Sequence, residues 1–412
     1  MSAGNLIKKA NQLKRQGELD QAIAIYQEAI KLNPDFAWTY YELGDALAKS
    51  GDLDNSVIYL QKSTVLKPNF YLAYEKLANI FHEQGKIDLA IAEYGKAKNS
   101  QNLQLDKKLT SSLEQYLQRV ENYKNAIENL YEKKYWLDYP LNVSIETFSS
   151  CNAACNFCPY PSLDRKGTKM SEDLFKKIID ELSEPKDYVL PSINLTRVNE
   201  PFLDKRIFEF MSYVNAKLPL TKIKLFTNAS LLDEKKLDQL LEIKNFGSLT
   251  ISFNDHRPVE YEKVMQIPFK RTYENVKQIH ERKKDGEIKF PIILGRVGDG
   301  TGSDDDFLKW AENDFPLFQA TVSARFDWIG KLQLNNFPLV ANLGCQQWFM
   351  LHFLANGKEA FCCIDSEADY GQGNADLENV IDIYNLPYKK RMRMEKMSRE
   401  KNDICSKCSA LS

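Results

Sequence analysis

The chain has 412 residues, 43% of them apolar and 27% charged, with a formal net charge of −2. That length allows two or three domains with ample core, and the near-neutral balance excludes the polyelectrolyte attraction that holds basic proteins on nucleic acid or anionic membranes. Met1-Ser-Ala-Gly-Asn-Leu-Ile-Lys-Lys lacks the apolar core of a signal peptide, and no run reaches membrane-spanning length.

Residues 3–100 repeat with a period of 34, marked by Pro34 and Pro68 and by Gly17, Gly51 and Gly85. Small residues recur at Ala22, Ser56 and Ala90 and at Ala29, Ser63 and Ala97, and large apolar ones at Tyr26, Leu60 and Tyr94. The pattern predicts three helix–turn–helix units with glycine in the turn, small residues where helices touch and proline ending the second helix. Each unit leaves an apolar face bare, so the units must stack. The run Ala22-Ile-Ala-Ile-Tyr-Gln-Glu-Ala-Ile-Lys-Leu-Asn-Pro34 resembles the second helix of the tetratricopeptide repeat (TPR). That resemblance implies an α-helical solenoid whose concave face binds a protein or peptide partner. A purely structural cap is the other reading.

Residues 101–138 are expected to form a helical cap and connector, with Leu109, Leu113, Leu117, Val120, Tyr123, Ile127 and Tyr131 spaced at three and four. From 139 to 335 strand patterns at 142–148, 191–197, 222–227, 248–254, 290–297 and 319–325 alternate with helical ones at 171–183, 204–216, 233–243, 270–284 and 304–312. Six βα units suggest a partial (β/α)6 barrel, making the chain a multidomain α plus α/β protein. In β/α barrels the chemistry sits at the C-terminal ends of the strands.

The cysteine loop follows the first strand. All eight cysteines lie at or after position 151, in two sets, Cys151/Cys155/Cys158 and Cys345/Cys362/Cys363/Cys405/Cys408. Without a secretion signal, such clustering reads as metal ligation. C-x3-C-x2-C offers three thiolates, enough to hold a [4Fe–4S] cube and leave one iron open. It suits zinc poorly, because no fourth ligand is near and none of the four histidines pairs with a cysteine at finger spacing.

Cys151-Asn-Ala-Ala-Cys155-Asn-Phe157-Cys158 resembles the signature of radical S-adenosylmethionine (SAM) enzymes. The resemblance implies a [4Fe–4S] cluster whose open iron chelates SAM, reductive cleavage of SAM to a 5′-deoxyadenosyl radical, and Phe157 against the adenine. Asn194-Leu-Thr-Arg-Val-Asn199-Glu200-Pro201 occupies the place of the family's Gly-Gly-Glu-Pro turn, with Val198 and Asn199 replacing the glycines; Glu200 is then expected at the SAM amino group. Phe226-Thr-Asn228-Ala229 resembles the family's strand end, with Ala229 in the place of glycine. By the same resemblance Asn228 and Ser252 are expected among the SAM contacts and Arg296 at the SAM carboxylate.

In residues 336–412, Gly344-Cys345-Gln-Gln-Trp348 precedes a hairpin turning at Asn356-Gly357 with a return strand Lys358–Asp365, and the cysteines end at Cys405-Ser-Lys-Cys408. This resembles the SPASM/twitch extension of radical SAM enzymes. Two auxiliary clusters need about seven or eight ligands; five cysteines suit one. Its implied ligands are Cys345, Cys405, Cys408 and one of Cys362 and Cys363, since strand neighbours face opposite ways; the resemblance favours Cys362, five residues after the turn glycine, where the family's strand cysteine falls. A four-thiolate zinc site is the alternative for this set.

The resemblance implies an oxidoreductase or peptide-modifying enzyme, with an auxiliary [4Fe–4S] cluster taking an electron from a sugar or cyclitol alcohol or from a peptide. Arg325, Asp327 and Asn254, near strand ends, are candidates to orient the substrate proton, and Trp328 to line the pocket. A flavodoxin or ferredoxin electron donor and a cytoplasmic location follow from the same resemblance. A non-catalytic adaptor or redox sensor is the alternative, and it has no use for an open iron beside Glu200, Ser252 and Arg296.

Overall fold

The computed structural model describes residues 2–84, 87–100, 121–323, 325–326, 328–329, 331–332, 343–406 and 408. The chain divides into two compact units, one ending at Lys124 and the other beginning at Asn125.

In the first unit, helices α1 (Ala3–Arg15), α2 (Leu19–Leu32), α3 (Ala37–Ser50), α4 (Leu53–Leu66), α5 (Tyr71–Glu83) and α6 (Ile87–Asn99) pack in successive pairs. The repeat explains the pairing. Gly51 takes φ 90°, a conformation that costs glycine little, and the Asp52 N–H bonds back to the Leu47 carbonyl as the chain reverses. Ala22, Ala29, Ser56 and Ser63 are fully buried where helices meet. A Cβ at Gly44 would stand 2.6 Å from Leu60 Cγ, so α3 and α4 approach too closely for a side chain there. The Ser56 and Ser63 hydroxyls donate across this contact to the carbonyls of Gly44 (2.6 Å) and Ala37 (2.9 Å), so neither is buried unpaired.

Asp45 on α3 pairs with Lys14 (2.7 Å), Lys49 (3.0 Å) and Lys76 (2.8 Å), tying α1, α3 and α5 together. Burial opposes its charge, but the three lysines prevail and hold its carboxyl well below the usual range. The predicted turn at Gly85 and the connector positions Leu109, Leu113, Leu117 and Val120 lie outside the described residues.

The division between the units falls within helix α7 (121–132) rather than at the end of the predicted connector. Leu130, Tyr131, Trp136 and Leu137 pack into the core around Cys345 and Cys405, with Tyr131 edge-on to Phe349 at 5.3 Å. Barrel and C-terminal cysteine segment share one compact unit.

The six predicted strands are present within a few residues: β1 (Asn142–Ile145), β2 (Ser192–Asn194), β3 (Lys222–Thr227), β4 (Phe246–Ser252), β5 (Ile292–Val297) and β6 (Gln319–Ser323). Between them run α8 (Glu172–Ser183), α9 (Ile207–Lys217), α10 (Glu234–Leu241), α11 (Pro258–Met265) and α12 (Phe269–Lys284), with α13 (Gly302–Asp314) before β6. The short α11 is not predicted by periodicity; Pro258 at its first position is its one local signal.

A seventh strand, β7 (Met350–Phe353), pairs in parallel with β1, giving the order β6-β5-β4-β3-β2-β1-β7. The sequence pattern assigned this segment to a hairpin. The turn exists, with Gly357 at φ 80° and the Leu354 N–H bonded to the Lys358 carbonyl (2.9 Å). The return leg is only isolated bridges at Lys358 and Glu359, so Cys362 and Cys363 lie in a turn and strand alternation does not separate them.

Alternation along the strands places the site. Val143, Ile145, Ile193, Leu249, Ile251, Leu351 and Phe353 are buried in the apolar core, while the intervening Ser144, Asn194, Thr250, Ser252 and His352 line a cavity. Beyond β7, α14 (Val380–Tyr384) and α15 (Pro387–Met394) complete the fold. Arg393 is fully buried and donates to the carbonyls of Leu137 (3.2 Å), Trp348 (3.1 Å) and Tyr384 (2.9 Å). Among the described residues no helix is long and apolar enough to cross a membrane.

Candidate functional site

The cavity holds about 450 Å³ and is lined from all seven strands or the segments that follow them. Cys151, Cys155 and Cys158 all border it. Their loop is held from several sides. The Ala154 and Asn156 N–H groups bond to the Met265 and Val264 carbonyls at the end of α11, both at 3.2 Å. The Trp328 indole donates to the Phe157 carbonyl (3.0 Å). Asn228 donates to Asn152 Oδ1 (2.9 Å), Asn152 to Ser230 Oγ (2.8 Å), and Ser230 back to Asn228 Oδ1 (2.6 Å). This ring of three side chains locks the cysteine loop to the end of β3, so Asn228 positions the loop as well as lining the cavity.

Burial pushes the Cys151 thiol up to about 12 and Cys158 to about 11, with Cys155 higher still. These groups are thiols at neutral pH, and iron binding would release their protons. Among the described residues no three His, Cys, Asp or Glu side chains come close enough to hold a single ion. A four-iron cube seats each thiolate on its own iron, so it demands wider spacing. Three thiols of one loop bordering one cavity are the donor set for such a cube with an open iron, and the residues fit it.

Glu200 is 1% exposed and lines the cavity. Its carboxylate accepts from Thr227 Oγ1 (2.8 Å), Asn228 N (2.9 Å) and Phe202 N (3.2 Å). Burial outweighs these bonds and raises its pKa to about 7. Neither Val198 nor Asn199 has positive φ, so this turn does not require the glycines they replace; Ala229, in the other glycine place, does take φ 57°.

The remaining expected positions divide. Phe157 and Ser252 border the cavity. Arg296 borders it too, but its donors are turned to protein: Nε to Asp304 (2.7 Å), Nη1 to Asp255 (3.0 Å) and to the Asn254 carbonyl, and Nη2 to Asp299 (2.9 Å). Four of its five N–H groups are engaged by three carboxylates and a carbonyl. Asn254 is 1% exposed and absent from the cavity wall; its amide bonds Ser252 Oγ (2.8 Å) and the Val297 N–H (2.7 Å), bracing β4 against β5. The Arg325 guanidinium sits 5.9 Å from the Phe157 ring centre, beside the cysteine loop rather than in the cavity wall. Asp327 lies outside the described residues.

Sequence reasoning missed Arg197 and His352, both in the cavity wall. Arg197 follows β2, donates to the Cys362 (3.3 Å) and Asp365 (3.1 Å) carbonyls, and keeps a buried, unpartnered Nε. Both ring nitrogens of His352 are buried without a partner. Burial, with the charges of Arg197 and Lys389, holds its pKa well below the usual value, so the imidazole is neutral.

A second, smaller cavity is lined by Cys345, Cys362, Cys363, Cys405 and Cys408. All five cysteines of the C-terminal set meet there, and Cys363 also borders the large cavity. Burial raises Cys363 and Cys405 to about 12 and Cys362 well above its usual value. The donor set fits a second four-iron cluster with one thiol to spare.

Residues 145–311 match the radical SAM superfamily, and residues 10–51 and 39–70 match tetratricopeptide repeat models. The S-adenosyl-L-methionine-dependent 2-deoxy-scyllo-inosamine dehydrogenase of Niallia circulans is 30% identical over 102 residues, which is 24% of this chain and 40% of that one. SuiB of Streptococcus suis, solved bound to its precursor peptide SuiA, is similar over 83% of this chain and 86% of its own, with a TM-score of 0.52 at 15% identity. BtrN, solved in complex with AdoMet and 2-DOIA, is similar over 66% of this chain and 93% of its own, with a TM-score of 0.44 at 20% identity. At these identities the likeness to the two structures concerns fold alone.

Proposed function

Because residues 145–311 form a radical SAM domain and residues 10–70 tetratricopeptide repeats, we propose that the chain is a radical SAM enzyme acting on a small alcohol or a peptide. The observation that carries this reading is the three-thiol loop opening, together with the buried Glu200, onto one polar cavity at the strand ends. Cys151, Cys155 and Cys158 would hold a [4Fe–4S] cluster which, with SAM bound, supplies a 5′-deoxyadenosyl radical for hydrogen abstraction. Glu200 would receive the SAM ammonium, Phe157 would pack against the adenine, and Ser252 would bond the ribose or carboxylate. Asn228 and Trp328 would hold the cysteine loop in place. Arg296, committed to Asp255, Asp299 and Asp304, would set the shape of the β5 end.

Cys345, Cys405, Cys408 and one of the Cys362/Cys363 pair would hold an auxiliary [4Fe–4S] cluster that accepts an electron from the substrate. A reduced flavodoxin or ferredoxin would supply the first electron, a cytoplasmic setting would protect oxygen-labile clusters, and the repeats would bind a protein or peptide partner.

The test is anaerobic reconstitution with iron and sulfide, reduction with dithionite and addition of SAM. The expected outcome is 5′-deoxyadenosine at about eight irons per chain, two four-iron cubes, and none from Cys151→Ala. No 5′-deoxyadenosine at full iron loading refutes the enzyme.

A further inference from the structure

Ser144 on β1 is the register partner of Asn194 on β2 and of His352 on β7. Three polar side chains therefore stand in one row across adjacent strands, and all three line the large cavity. Asn194 Oδ1 and both nitrogens of His352 are sealed from solvent without a hydrogen-bond partner, and His352 is only 2% exposed. The segment after β2 adds Arg197, with Nε unpartnered, and Asn199, whose Oδ1 accepts from the Arg197 N–H (2.8 Å) while its Nδ2 is unpartnered. Buried polar groups left unpaired are costly and rare, and a cluster of them on one cavity wall calls for a ligand that completes it.

We infer that the Asn194–Ser144–His352 row, with Arg197 and Asn199, is the substrate subsite and takes a small neutral molecule bearing several hydroxyl groups. The inference rests on the radical-enzyme reading, which requires a substrate in this cavity, and adds the wall and the chemical class. The unpartnered groups are of both kinds. Arg197 Nε, Asn199 Nδ2 and one nitrogen of the neutral His352 donate; Asn194 Oδ1 and the other His352 nitrogen accept. A hydroxyl donates and accepts at once, so a polyol can complete groups of either kind. A carboxylate or phosphate only accepts and would leave Asn194 and the imidazole lone pair unpaired. An apolar peptide side chain would complete none of them. Phe326, Trp328 and Ile364 border the same cavity and suit the C–H face of a ring polyol.

The test uses full-length, anaerobically reconstituted protein with SAM, probed by saturation-transfer NMR and by melting. The probes are myo-inositol, glucose, glycerol 3-phosphate and the tripeptide Ala-Leu-Ala. The expected result is transfer to myo-inositol or glucose with a rise in Tm of about 2 °C, both lost in His352→Leu and in Asn194→Leu. Without a probe, at least one of these variants melts at or above wild type, because it removes a polar group that nothing satisfies. The proposal is overturned if both variants melt below wild type, if polyol transfer survives in them, or if only the phosphate, only the peptide or no probe binds. Formation of 5′-deoxyadenosine by wild type in the same preparation tests the parent reading separately. Its absence sinks that reading; its presence without polyol binding sinks only this one.

Discussion

Lowering the pH from 7.5 to 6.0 is expected to weaken SAM binding about eight-fold, through Glu200 alone. With its carboxyl at about 7 in the ligand-free fold, roughly three quarters is ionised at pH 7.5 and about one eleventh at pH 6.0. An ammonium ligand needs the ionised form, so the ratio of these fractions is the loss, about 1.2 kcal/mol. The effect on the fold has the opposite sign. Burial raises this carboxyl above its ordinary 4.5, so its contribution to ligand-free stability is fully present below that value and is lost as the pH rises through about 7. Glu200→Gln removes the titration, and it also turns an amide N–H2 toward one backbone donor, Asn228 N at the Oε2 place or Phe202 N at the Oε1 place, at a cost of about 1–3 kcal/mol in stability. Calorimetric titration of the reconstituted protein with SAM, at pH 6.0, 6.75 and 7.5, checks both arms. A flat wild-type profile, or an eight-fold slope that persists in Glu200→Gln, would refute the reasoning.

Asn228→Ala opens the ring that ties Asn152 to Ser230 and should cost about 1–2 kcal/mol; a chelator should then remove iron from the three-cysteine site faster than from wild type, with equal rates counting against the positioning role. Replacing Cys345, Cys405 and Cys408 together by alanine leaves only Cys362 and Cys363 at the second cavity and should retain about four irons per chain and the three-cysteine cluster, as read by iron analysis and electron paramagnetic resonance. Asp45→Asn releases Lys49 and Lys76 and leaves Lys14 only its Glu42 partner, and should destabilise the repeats by about 2 kcal/mol at pH 7 in urea melts. Because the Asp45 carboxyl is depressed, the wild-type advantage should shrink as the pH falls below 3.8, its ordinary value. Gly357→Ala forces a side chain into φ 80° with its Cβ 2.9 Å from Asn374 Oδ1; a loss of about 1–2 kcal/mol is expected in the melting of the second unit.

Local signals carried much of this architecture. The 34-residue period specified the helix pairs because each unit repeats the same turn glycine and the same small contact residues. Strand alternation placed six strands, and the cysteine spacing placed the loop at the mouth of β1. What escaped depends on pairing over long separations. His352 reads as one residue of an exposed hairpin until β7 is seen to lie beside β1, some two hundred residues earlier in the chain. Arg296 was legible as a strand-end arginine, whereas the carboxylates that occupy it come from the loops at Asp255 and Asp299 and from the first turn of α13 at Asp304. Cys362 and Cys363 could not be sorted by alternation, since the return leg of the hairpin is not a strand. Arg197 lay inside a segment singled out for its Glu200-Pro201 end, and nothing in its spacing marked its own side chain.

The position of β7 beside β1 also dictates the order in which the protein can be made. The β1 partner residues begin at Asn142 and their β7 counterparts at Met350, so one side of β1 waits about 10–40 s of synthesis for its neighbour. Arg393, the last residue to reach the carbonyls of Leu137, Trp348 and Tyr384, emerges later still. The repeats, whose described contacts lie mainly within and between adjacent helix pairs, can finish while the ribosome is still far from this point. Until the end of the chain appears, the row through Ser144 lacks its histidine and the five C-terminal cysteines have not met. The cluster proposed for the second site would therefore assemble only after these cysteines have been synthesised, and a nascent chain stalled before β7 exposes an unpaired barrel strand for chaperones to guard.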